Sequence, residues 1–203
     1  MYVPEFNAVE EPVAREMVAA YGAGELITVG ADGYPLATLL PVMWHDDVVI
    51  AHMARANEHW RAIAPGSPAL LVCGGPQAYI SPSWYAAKAE HGKVVPTWNY
   101  SSVHLTGTVT VIDDPEWVRD AVTRLTETHE SPRPSPWAVT DAPASYIDGM
   151  LRAIVGLELR VTRVEGKAKL SQNRSEADQR GVVAGLGAGD PVAAAIAANL
   201  GRA

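Results

Sequence analysis

The sequence predicts an α+β fold: six or seven mainly antiparallel strands, closed or nearly closed into a barrel, with helices at the periphery and at the C-terminal end. Three observations lead there. Residues 25–53 hold three apolar runs separated by turns too tight for the crossover that parallel strands require. Residues 103–112 and 155–164 are longer runs in which apolar and polar positions alternate, as in strands with one buried face. Helix signals fall only before, between and after these runs, and a barrel hides the edges that so many strands would otherwise expose.

Taken in order, residues 8–21 read as an amphipathic helix with Val13, Met17, Ala20 and Tyr21 on one face and Gly22 as its stop. A strand over 25–30 turns at Ala31-Asp32-Gly33 into a second over 34–44, which turns at His45-Asp46-Asp47 into a third over 48–53. A short helix over 57–63 ends at Pro65-Gly66. Two strands near 69–73 and 78–80 follow, separated by Gly74-Gly75-Pro76, and residues 82–95 leave the sheet. After the strand over 103–112, Asp114-Pro115 caps a helix whose Val118, Ala121, Val122 and Leu125 share a face. Residues 131–136 are a Pro-rich loop and 143–153 are helical. Ser175 and Asp178 form a capping box after the last strand, and Asp190-Pro191 opens an Ala-rich helix that ends at Gly201. One domain over 1–203 is expected, with 175–203 as a C-terminal helical extension.

Bulk properties narrow the function. The chain has 203 residues, 48% hydrophobic and 19% charged, enough for a substantial core. A net charge of −7 argues against a large nucleic-acid footprint, which normally shows as a basic patch. The single Cys73 excludes an internal disulfide and a multi-cysteine metal site. With neither a basic-apolar leader nor the roughly 20 apolar residues of a membrane span, a cytoplasmic protein is expected. Gly185-Leu186-Gly187-Ala188-Gly189 follows no strand, so it reads as a loop between helices rather than a dinucleotide fingerprint.

The chemistry is concentrated in four polar-aromatic stretches: residues 52–57, 79–85, 95–100 and 167–174. Side chains such as Trp, Asn, Gln, His and Arg are costly to bury, and clustered at strand ends they suit a planar, anionic cofactor. In the first stretch Arg55 offers a bidentate cation beside a helix start capped by Asn57, an arrangement that suits phosphate, although a capped surface helix has the same pattern. His52 shares the face of Val48 and Ile50. A satisfied buried histidine is its alternative. Thr38 interrupts, and Pro41 ends, an apolar strand whose backbone suits the polar rim of a flavin; an edge strand explains them equally well. Ser81, Trp84, Trp98 and Asn99 describe a small-molecule pocket wall or a dimer interface. Lys169, Ser171, Gln172 and Arg174 suit phosphate or ring carbonyls, or simply a solvated basic strand end. His59 is expected at the surface, and a neutral imidazole there is also a conceivable haem ligand.

Together these stretches resemble the PaiB-like family, described as FMN-binding negative transcriptional regulators. The likeness runs from Met1-Tyr2-Val3-Pro4 to Arg174 and is most specific in Pro96-Thr97-Trp98-Asn99-Tyr100 and Lys169-Leu170-Ser171-Gln172-Asn173-Arg174. It implies an FMN-binding split β-barrel working as a homodimer, with flavin near the subunit interface. The 52–57 and 169–174 segments would line the flavin site, with Trp98 and Asn99 near it. The resemblance extends to a haem-dependent branch, the piperazate synthases, in Ala56-Asn57, His59-Trp60 and residues 96–99; in a haem enzyme His59, or else His52, would be the axial iron ligand, and the reaction would close an N–N bond. Three functions follow: a flavin-binding regulator, a flavin-dependent oxidoreductase on the same pocket, and a haem enzyme. DNA binding fits poorly with the charge, and no helix-turn-helix with a basic recognition helix is evident.

Overall fold

The computed structural model describes residues 1–201. Positions 202 and 203 of the expected helical extension lie outside the described residues. Seven antiparallel strands form one sheet: β1 (Ala8–Val9), β2 (Ala23–Val29), β3 (Pro35–His45), β4 (Val48–Ala54), β5 (Ser67–Ile80), β6 (Thr97–Ile112) and β7 (Ile154–Lys169). Their order is β1-β7-β4-β3-β2-β5-β6, and β6 also pairs with β7. The six strands β2 to β7 therefore form a closed ring, as the strand alternation predicts. Six α-helices accompany them: α1 (Glu11–Tyr21), α2 (Ala87–His91), α3 (Pro115–Glu130), α4 (Ala144–Leu151), α5 (Glu176–Leu186) and α6 (Pro191–Leu200).

The chain divides into two compact units. One comprises residues 15–73 and 104–164. In it the inward positions of the meander, Leu26, Leu40, Val42, Val49 and Ala51, meet Leu71, Val109, Leu157 and Leu159 in an apolar barrel core. Register explains the sorting: Leu26 faces Thr38 across β2 and β3, and Ala51 faces Leu157 across β4 and β7. Outside the ring, Val118 of α3 packs with Ile147 and Leu151 of α4. The Asp114 side chain accepts a hydrogen bond from the Trp117 N–H at 2.7 Å and so starts α3 as expected.

The other unit comprises residues 1–14, 74–103 and 165–201 of the described chain. Its core is Ile80, Tyr85, Leu170, Val182, Val192 and Ile196, which fastens α5 and α6 to the ends of β5 and β7. Asp190 starts α6 by accepting from the Val192 and Ala193 N–H groups. Only half of the expected Ser175–Asp178 box forms. Ser175 Oγ accepts from the Asp178 N–H, but the buried Asp178 carboxylate accepts from Ala87 N–H instead, across to α2.

Several boundaries differ from the sequence expectation, for identifiable reasons. Residues 8–9 pair with β7 as a short strand rather than opening α1. The buried face of α1 is Ala14 and Val18, whereas Val13 is exposed. The two strands expected around Gly74-Gly75-Pro76 are one, β5. Its pairing with β2 ends at Val72, so the glycines and the proline interrupt no β2 ladder. β3 likewise runs through Pro41 to His45. β6 starts at Thr97 and β7 ends at Lys169, so most of the third stretch and the first three residues of the fourth are strand rather than loop. Among the described residues no helix is long and apolar enough to cross a membrane.

Ring closure needs a glycine. A Cβ on Gly107 of β6 would lie 1.9 Å from the Arg160 carbonyl oxygen of β7. Gly107→Ala is expected to lower the urea midpoint by about 1–3 kcal/mol of stability, because backbone rather than a flexible side chain must yield. Gly74→Ala, where an added Cβ meets nothing within 4 Å, should leave the midpoint unchanged.

Candidate functional site

The expected site residues fall into two groups, one in each compact unit. In the barrel unit, Thr38, Asn57 and His59 come together. Thr28 and Thr38 occupy inward positions of β2 and β3 beyond the apolar core. His59 lies in a short 3-10 helix over Glu58–Ala62 and is 5% exposed. Its two ring nitrogens both have partners: Nε2 lies 2.8 Å from Thr28 Oγ1, and Nδ1 lies 2.8 Å from Thr38 Oγ1. Asn57 accepts from the His59 N–H at 3.0 Å, which caps the helix as expected, and its amide donates to Thr38 Oγ1 at 3.2 Å. One chain of donors, from Asn57 to Thr38 to Nδ1 and from the Nε2–H to Thr28, uses each hydroxyl once and fits a neutral imidazole.

These residues wall a cleft of about 620 Å³ with Gly30, Asp32, Leu36 and Ala37, a size in the range of small-molecule sites. The surface position expected for His59 is thus corrected: the ring is buried and fully hydrogen-bonded. Sequence reading missed Thr28. The available signal was a polar residue in the inward register of an otherwise apolar strand.

Arg55 and His52 are elsewhere. The Arg55 guanidinium forms a two-point ion pair with Asp113, and its Nε donates to the Arg152 carbonyl at 2.9 Å. That pair holds the Asp113 carboxyl below its ordinary range. The cation that the sequence offers to phosphate is therefore already engaged. His52 lies on the outward face of β4 with Val48 and Ile50, as expected, and its buried Nδ1 has no hydrogen-bond partner. Burial lowers its pKa. Pro41 is exposed on the outer face of β3.

In the second unit, Trp98, Asn99, Lys169 and Ser171 come together. Asn99 is fully buried and its amide donates to Ser171 Oγ at 2.8 Å, while its buried carbonyl oxygen has no partner among the described residues. Ser171 holds a left-handed backbone, φ +65°, which a serine rarely adopts. Lys169 Nζ donates to Thr97 Oγ1 at 2.6 Å. Trp98 is 48% exposed, donates to Gln77 Oε1 at 3.0 Å and meets Tyr79 edge to face at 6.3 Å between ring centroids. Trp98 and Asn99 are neighbours on β6, so their side chains leave opposite faces of the strand, a half-exposed aromatic pair on one and a buried amide on the other.

The remaining candidates of this unit do structural work. Ser81 caps a single 3-10 turn by accepting from Ser83 N–H. Trp84 packs against α5, where Gly181 and Gly185 leave room: a Cβ on Gly185 would lie 2.3 Å from the indole. The Gln172 side chain bonds the backbone of Ala168 and Leu170. Arg174 places its guanidinium 4.5 Å from the Tyr85 ring centroid.

Six antiparallel strands closed into a ring are the barrel that the sequence resemblance implies. The comparisons agree. Residues 1–163 match the family model described as "Putative FMN-binding domain". The protein called protease synthase and sporulation protein PAI 2 of Bacillus subtilis is 31% identical over 90% of this chain and 87% of its own length. The chain belongs to this PaiB-like, FMN-binding-domain family. Two solved structures share the fold at a TM-score of 0.62. One, a conserved hypothetical protein, Rv2991, from Mycobacterium tuberculosis, is 13% identical over 87% of this chain and 95% of that one. The other, an FAD and haem binding protein from Mycobacterium smegmatis, is 19% identical over 81% and 74%.

Burial lowers the pKa of both His59 and His52 from the ordinary 6.5. Their neutral forms are favoured when folded, so the unfolded chain takes up more protons just below that value and stability falls as pH falls. Urea midpoints measured between about pH 7.5 and 5.5 should therefore decline. The decline should be shallower in His59→Asn, and an unchanged slope in that variant would remove His59 from the effect.

Proposed function

We propose that the protein binds FMN and is a flavoprotein of the PaiB-like class. The observation that carries this reading is the buried Asn99 carbonyl, unpartnered among the described residues, one position along β6 from the half-exposed Trp98. A buried acceptor without a donor costs on the order of 1–3 kcal/mol, and the imide N–H of a flavin ring is the complementary group. Lys169 and Ser171 supply the ammonium and hydroxyl that suit ring carbonyls or phosphate. Arg55 contributes by holding the strand end through Asp113 rather than by meeting an anion. Bound flavin supplies electron and hydride transfer. The chain's residues orient the ring and restrict water, and no side chain need act as acid or base for that role.

The haem reading draws on the haem-binding neighbour, but His59 argues against it. Both of its ring nitrogens are hydrogen-bonded, and iron needs a free nitrogen lone pair. Transcriptional regulation is supported by the family resemblance. The consecutive helices α5 and α6 offer no basic recognition helix, since Pro191–Leu200 contains no Lys or Arg. A regulatory role is therefore best served by a protein partner or a redox signal.

A homodimer completes this reading. The outer faces of β3, β2 and β5 carry Leu39 (67% exposed) and Val29 (64% exposed) beside Ala37, Ile27, Leu70 and Val72, an apolar strip interrupted by the exposed Glu25 that pairs with Leu39 and Val72.

Three measurements test these statements. Purified protein should show flavin absorption that is released on denaturation, or take up added FMN. Asn99→Leu should weaken FMN binding roughly tenfold or more by titration. A Soret band, or no uptake of FMN, would overturn the reading. In sedimentation, the wild type should run as a dimer and Leu39→Glu as a monomer; a monomeric wild type removes the interface.

A further inference from the structure

A second pocket of about 330 Å³, within the barrel unit, shares no lining residue with the cleft at His59. Its floor is apolar: Val118 of α3, Leu151 of α4 and Ile154 at the start of β7. Its walls are charged, with Arg55, Arg119 and Arg152 facing Asp113, Asp114, Glu116 and Asp148. Two ion pairs, Arg55–Asp113 and Arg119–Asp148, neutralise four of these seven groups.

What remains has both signs. Among the described residues Arg152 has no side-chain partner: the Arg55 contact at this residue uses its backbone carbonyl. Glu116 has no side-chain partner among the described residues either, and Asp114 uses only Oδ1 to cap α3. A simple anion would satisfy Arg152 but add to an acidic wall, and a simple cation would leave Arg152 uncompensated. A ligand carrying both charges on one carbon, with an apolar side chain for the floor, meets every feature. Pockets with an apolar base and a few convergent polar groups are the usual form of small-molecule sites.

We propose that this pocket, between α3 and α4, binds a free α-amino acid with a branched apolar side chain. Its carboxylate meets Arg152, its ammonium meets Glu116 and Asp114, and its side chain lies on Val118, Leu151 and Ile154. No bond is made or broken, and the site does not depend on the flavin reading.

The test is a titration of the full-length protein, followed by amide chemical shifts, with L-leucine, 4-methylpentanoate and 3-methylbutylamine. The last two each lack one of the charges. Leucine should bind saturably and shift amides of residues 115–119 and 148–154, and each analogue should bind roughly tenfold more weakly or worse. Arg152→Ala, at an exposed position that should not disturb folding, should weaken leucine binding by a similar factor. Absence of saturable leucine binding, equal binding of either analogue, or undiminished binding to Arg152→Ala overturns the proposal. Leucine binding in the absence of any flavin signal would separate this site from the FMN reading.

Discussion

A ring of strands has no free edge only if its last strand meets its first, and here that meeting occurs where β6 passes the backbone of β7 at Gly107. The contact leaves no space for a side chain. Closure then determines what each strand must carry. Inward positions become an apolar core of Leu, Val and Ala. Outward positions are free to take helices, as beneath α3 and α4, or to stay exposed, as at Leu39. The hydrophobic effect fills the interior, while the hydrogen-bonded ring fixes its shape.

The same closure explains why a histidine is buried among threonines. Beyond Leu26 and Leu40 the inward register continues with Thr28 and Thr38, and an imidazole with both nitrogens satisfied is one of the few groups that can cover those hydroxyls without leaving a polar atom stranded. Asn57 joins this network to the turn that delivers it, so helix cap and strand contact share one side chain. The cost is a group that resists protonation, which makes acid an adversary of this fold.

Much of the chemistry of the chain is turned inward on itself. Arg55 binds Asp113, Gln172 bonds its own backbone, and Trp84 rests on the glycines of α5. Asn99 differs because its carbonyl has no such answer. Residue type announced these side chains as unusual, but only their neighbours separate a structural partner from a vacancy that a ligand would satisfy. The neighbours were not legible because they are distant in sequence: Asp113 is 58 residues from Arg55, and Ser171 is 72 from Asn99.

The sequence by itself determined the class of fold, the meander of β2 to β4 and the helices after β6 and β7, the caps at Asp114 and Asp190, and membership of the family through its third and fourth motifs. These are local matters, set by alternation, turn residues and capping groups within a few positions of one another. Tertiary structure decided how far β5, β6 and β7 extend, because a strand continues wherever a partner lies beside it. It also decided that His59 is buried and that Arg55 is paired. Such outcomes depend on which distant residue arrives at each site, and three-dimensional packing alone settles that.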